Sequence, residues 1–148
     1  MRRFSALRAA IWACLCLVLW GTACRANSDP ETAVLLGDTF TLGYGQTAVI
    51  QTEDLQITFD DVLEDSRCPT QVQCFWTGQA RVVVTARQGD AAPVGLEFNT
   101  NPAPNENLQT ISFGEYRVEL QSLDPFPQEP DKSIELADYR VTLQVHKP

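Results

Sequence analysis

A single all-β domain, an antiparallel β-sandwich of about seven to eight strands, is the fold this chain predicts. Three observations lead there. Apolar side chains recur with a period of two in one segment after another. Clusters of Gly, Pro, Asn and Asp separate those segments. Beyond the first 24 residues, no helical period persists for more than a turn or two.

The elements follow in chain order. Arg2, Arg3 and Arg8 precede the apolar run 9–20 (AAIWACLCLVLW). A transmembrane helix needs about 20 apolar residues, so this run reads as the core of an export signal. Gly21-Thr22-Ala23-Cys24 then resembles the lipobox of bacterial lipoproteins. The resemblance implies a lipoprotein-type signal peptide over residues 1–23, acyl chains such as palmitate on Cys24, and a protein tethered to the bacterial cell envelope without spanning a membrane. Gly21 stands where that motif usually has leucine. Ordinary cleavage after Ala23, giving a secreted soluble form, is therefore the alternative.

Residues 24–33 are polar around Pro30 and read as a tether, with the β-sandwich domain over 34–148. Weaker strand candidates lie at 39–42 and 47–51, with Tyr44 between Gly43 and Gly45 in a hairpin turn. Over 55–62, Leu55, Ile57 and Phe59 share one face. Over 80–86, Ala80, Val82, Val84 and Ala86 face inward, and Val83 makes the strand apolar enough to be central and covered on both faces. Segments 94–99 and 109–113 are weaker candidates. Tyr116, Val118 and Leu120 alternate with Arg117, Glu119 and Gln121, and Tyr139, Val141, Leu143 and Val145 repeat the pattern near the C-terminus. The expected core is Phe40, Ile57, Phe59, Val82, Val84, Leu96, Phe98, Ile111, Phe113, Val118, Leu120, Val141 and Leu143. Two long connections, 100–107 and 124–138, are rich in Pro and polar residues and cannot continue a central strand. Their presence, with the uneven strand lengths, favours a sandwich that is immunoglobulin-like in general architecture over a small barrel. Phe126, between Pro125 and Pro127, and Tyr44 each either plug an end of the sandwich or stand exposed. The stretch 124–130 is either a lid or an extended arm.

Composition narrows the function classes. Three of the 11 basic residues lie in the first 24 positions and all 19 acidic ones lie beyond, so the remainder carries 8 basic against 19 acidic residues, a net of −11. Such a surface disfavours nucleic acid and anionic lipid as partners bound by charge, and it keeps an exported domain soluble. Of five cysteines, Cys14 and Cys16 fall in the signal and Cys24 is the lipid site, leaving Cys68 and Cys74 to form a disulfide in an oxidising compartment. So short a closed loop contributes only about 2 kcal/mol, which makes shaping the loop the larger effect.

That loop holds the most distinctive local sequence, Asp65-Ser66-Arg67-Cys68-Pro69 followed by Cys74-Phe75-Trp76-Thr77-Gly78. With Phe40-Thr41-Leu42, Gly45-Gln46-Thr47 and the closing Tyr139-x-Val141-x-Leu143-x-Val145, it resembles a family of small bacterial envelope lipoproteins carrying a DSRCP…C-x-W-x-G motif, over most of residues 34–146. The resemblance implies export, a disulfide and a β fold, and transfers no catalytic residue. Within the loop, Trp76 is expected to pack its indole over the disulfide or the sheet end. In the alternative, Phe75 and Trp76 protrude as an aromatic anchor for a partner, with Arg67 on the rim. Arg67 has its own alternative in an ion pair with Asp65 or Glu64, worth little if exposed.

Catalytic and metal chemistry find little material. Asp60, Asp61, Glu64 and Asp65 could offer oxygen ligands to Ca²⁺, but they lack the spacing of a calcium loop and carboxylates at a strand end are usually solvated. The single histidine, His146, lies two residues from the C-terminus, so no zinc or copper site and no Ser-His-Asp or Cys-His arrangement can be assembled. The expectation is a non-enzymatic protein without a cofactor, held to a membrane through Cys24. It would bind an envelope protein or other envelope component through the Cys68–Cys74 loop, with Arg67, Phe75 and Trp76 as candidate contacts. The alternatives are a protease inhibitor presenting Arg67 or Gln71 from the constrained loop, or a structural lipoprotein with no dedicated ligand.

Overall fold

The computed structural model describes residues 31–104 and 108–148; the signal peptide and Cys24 lie outside them. Among the described residues nine strands form: β1 (Glu31–Val34), β2 (Thr39–Gly43), β3 (Thr47–Ile50), β4 (Leu55–Asp65), β5 (Ala80–Gln88), β6 (Val94–Asn99), β7 (Thr110–Phe113), β8 (Tyr116–Asp124) and β9 (Arg140–His146). They make two packed sheets, one ordered β1-β3-β4-β5-β6 and the other β2-β9-β8-β7. All pairings are antiparallel except that of β1 with β3. The all-β sandwich expected from the alternating pattern is therefore what forms.

The alternation sets the core directly. Leu55, Ile57 and Phe59 of β4 meet Val82, Val84 and Ala86 of β5 on one inner face, and Val118, Val141, Leu143 and Val145 line the other. Of the expected core residues, only Ile111 and Phe113 are partly exposed, because β7 is an edge strand. Three bulges change the phase where simple alternation would have continued. In β4 the register slips between Phe59 and Asp61 and again between Val62 and Glu64, so Val62 packs against the core and Leu63 turns outward. In β8 the slip between Leu120 and Ser122 brings Leu123 inward three residues after Leu120.

Three expectations need correction, and one left open is decided. Sheet structure starts at Glu31 instead of residue 34, because the end of the expected tether pairs with β3 through its backbone while most of its side chains remain in solvent. The 43–46 turn is no hairpin: it hands the chain from β2 in one sheet to β3 in the other, closed by hydrogen bonds from Gln46 N to Gly43 O and from Gly43 N to Gln46 Oε1. Its Tyr44 is half exposed and lies edge-on to Phe59. β5 is interior to its sheet but covered on one face only, since Arg81 on its outer side reaches Glu97 of β6 across exposed surface. The 124–138 connection is a lid: Ile134 and Leu136 pack against the core at one end of the sandwich, and Pro127 is buried.

Candidate functional site

β4 and β5 do not end at the sheet. Their ladder runs on through hydrogen bonds from Ser66 N to Gln79 O and from Cys68 N to Thr77 O, and the Cys68–Cys74 disulfide, with Cα atoms 6.0 Å apart, closes the projection into a knuckle. Gly78, between the bonded positions Thr77 and Gln79, has φ at +68°, in the left-handed region that glycine enters without strain. The lid braces one flank, Thr70 N donating to Pro127 O and Gln71 N to Gln128 O. Asn101 braces the other, its amide donating to Thr77 Oγ1 and Gly78 O.

Arg67 is the hub beneath the knuckle. Its guanidinium makes a two-pronged pair with Asp65 at 2.8 and 2.6 Å, donates to Leu123 O at 2.6 Å and Pro125 O at 2.9 Å, and lies 4.7 Å from the centre of the Phe126 ring. Tyr139 at the entry to β9 donates its hydroxyl to Asp65 Oδ2 at 2.8 Å. The Arg67 and Asp65 side chains are only 5% and 9% exposed. Arg67 therefore joins β4, the end of β8, the lid and the start of β9, and it is withdrawn from any rim or protease-facing position. The ion-pair alternative holds, in a buried form that sequence spacing could not reveal.

Burial by itself would push the Asp65 carboxyl up, but the hydrogen bonds and charge of Arg67, with the Tyr139 hydroxyl, hold it below the ordinary aspartate value. Burial and the neighbouring carboxylate raise the Tyr139 phenol from 10.0 to about 12. A carboxyl whose pKa is lower in the folded state stabilises the fold above the unfolded aspartate range and ceases to do so as pH falls through it. A phenol whose pKa is raised stabilises below 10.0 and loses that contribution as pH climbs towards about 12. The urea midpoint should accordingly fall on both flanks. Asp65→Asn should flatten the acid flank; an acid flank identical to that of the unaltered protein would show that Asp65 does not control it.

The knuckle's surface contrasts with its base. Phe75 is 102% exposed, Trp76 73% and Val72 40%, and every residue from 70 to 77 is exposed. The Trp76 indole is therefore not buried over the disulfide or the sheet end. Residues 68–79 (CPTQVQCFWTGQ) also carry no charge, in a chain of formal net charge −8. The tip is thus an uncharged, aromatic projection closed by a disulfide.

The acidic residues beside it do not converge. Asp60 accepts from Thr85 Oγ1, Asp61 from the backbone of Val62, Glu64 from Ser66 Oγ, and Asp65 from Arg67. Among the described residues no group of three or more His, Cys, Asp or Glu side chains is placed to hold a metal. A groove of about 680 Å³ lies between the end of β4 and the lid, floored by Asp65, Arg67 and Tyr139. Arg67 and Tyr139 both bond to Asp65, and no buried side-chain nitrogen or oxygen among the described residues lacks a partner. Sequence reasoning missed Tyr139 as a polar partner, because its place in an inward alternating set reads as core. The available signal was the Asp65-x-Arg67 spacing, which puts both side chains on one side of an extended chain. Among the described residues no helix is long and apolar enough to cross a membrane. Against family models, curated proteins and solved structures, the chain finds no match.

Proposed function

We propose that the protein is a non-catalytic, lipid-anchored β-sandwich of the bacterial cell envelope, which binds another envelope component through the tip of its disulfide knuckle. One observation carries the binding reading: Phe75 and Trp76 stand 102% and 73% exposed on a loop held by a disulfide and by backbone bonds on both flanks. A loop so constrained loses little entropy on contact, and large aromatic side chains are the usual energetic anchors of an interface. The anchored envelope location rests on the basic start, the short apolar run and the lipobox resemblance ending at Cys24. The DSRCP…C-x-W-x-G resemblance supports the same assignment.

The test places a photocrosslinking amino acid at Gln73, on the exposed tip, and resolves its adducts in native envelopes as protein or lipid. A specific adduct is expected, and Phe75→Ala with Trp76→Ala should abolish it while changing unfolding free energy by no more than about 0.5 kcal/mol, as for other exposed substitutions. A probe at Gln73 that reacts no more than one at Asp90, in the exposed turn after β5, would sink the reading.

A further inference from the structure

We infer that the component met by the knuckle is the lipid bilayer to which the chain is anchored, with Phe75 and Trp76 seated at its headgroup boundary as a second, non-covalent contact. The inference rests on the anchored, knuckle-binding reading above and names the occupant of that site.

Strand direction supplies the first argument. β4 runs toward the knuckle, β3 is antiparallel to β4, and β1 is parallel to β3. β1 therefore runs away from the knuckle, and its N-terminal end faces the knuckle side of the sandwich. Any attachment upstream of Glu31 pulls on the domain from the side where Phe75 and Trp76 project.

Length supplies the second. Glu31 lies level with Thr47, Thr58 and Thr85 across the sheet, and β4–β5 pairing continues from there to Asp65 opposite Ala80, then to Cys68 opposite Thr77. The strand pairing covers about five positions, or roughly 17 Å, and the knuckle extends beyond it. Six residues lie between Cys24 and Glu31, and even fully extended the seven steps span about 24 Å. The tether is comparable in length to this projection, so an anchored domain with its knuckle side toward the membrane brings the tip to the surface.

Chemistry supplies the third. Trp and Phe side chains favour the boundary between headgroups and acyl chains. The uncharged stretch 68–79 removes the penalty of bringing charge there, while the acidic remainder of the domain disfavours adhesion by charge. The contact is accordingly expected with zwitterionic lipid, and it should be insensitive to salt.

The signal's Trp12 and Trp20 leave on processing, so Trp76 is the only tryptophan of the mature chain and its emission reports on the tip alone. The experiment purifies the mature protein from membranes in detergent, reads its mass for acyl chains, and reconstitutes it in phosphatidylcholine vesicles with or without bromine on the lipid chains. The expected result is an acylated mass, blue-shifted Trp76 emission quenched roughly twofold by the brominated lipid at low and high salt, and weaker quenching in Phe75→Ala. Emission that is open to aqueous acrylamide and indifferent to bromine, from an acylated protein in the vesicles, would overturn the proposal. A protein adduct at Gln73 in that case would keep the binding module with a different occupant, and no adduct would end both readings. An unacylated mass overturns the proposal by removing its anchor.

Discussion

Arg67→Ala is expected to lower the unfolding free energy by about 3–5 kcal/mol, the range found when one member of a buried ion pair is removed. The alanine leaves the Asp65 carboxylate, whose side chain is 9% exposed, with the Tyr139 hydroxyl as its remaining side-chain partner. It also strips the guanidinium from the carbonyls of Leu123 and Pro125 and from the Phe126 ring. Asp65 should then protonate at higher pH, since burial would act on it without the opposing cation. The acid flank of the stability profile should move up in pH with it. Arg67→Lys keeps the charge but loses the planar fork that meets Asp65 in two places, and should fall between the two, about 2 kcal/mol below the unaltered protein. Urea unfolding at unchanged slope measures all three. A loss under about 1 kcal/mol in the alanine variant would mean that the hub behaves as a solvated surface pair.

Gly78→Ala should cost about 3 kcal/mol or more, by a mechanism involving no lost contact. A Cβ at this position would overlap the Ser66 carbonyl oxygen and sit 2.7 Å from its carbon and 2.8 Å from the Arg67 Cα. All three are backbone atoms, and the neighbouring Ser66 and Cys68 amides are held by bonds to Gln79 and Thr77. The φ of +68° adds the strain of a left-handed alanine. Gly114→Ala is the control: φ is +59° there, but no atom lies within 4 Å of the added Cβ, so only the conformational term of about 1 kcal/mol remains. Equal losses at the two glycines would refute the close approach at Gly78. A larger loss at Gly78 that leaves the disulfide formed but frees the tip should abolish the Gln73 adduct, linking Gly78 to the knuckle's presentation.

Different residues were legible for different reasons. In β4, β5, β8 and β9 the period of two carries a direct physical meaning, because alternate side chains of a strand point to opposite faces and only one face of each sheet is buried. The signal fails at β1, whose place depends on backbone bonds to β3 and whose side chains are mostly solvated. It also fails at the bulges, where Val62 and Leu123 enter the core out of phase. The Cys68–Cys74 pair was legible by elimination. Trp76 was not: in a loop without a repeating backbone, composition favours burial of an indole and says nothing of which way it points.

The sequence by itself determined the all-β class, the inward faces of the long strands and the disulfide, since these depend on local alternation and on which cysteines remain to pair. Only the tertiary structure decided that Arg67 is a buried hub and Phe75 and Trp76 an exposed tip. The partners that bury Arg67 stand 56 and 58 residues away at Leu123 and Pro125, and Tyr139 reaches Asp65 across 74 positions. Contacts at that separation arise from the packing of one sheet on the other and the closure of the lid, and no local pattern in the chain encodes them.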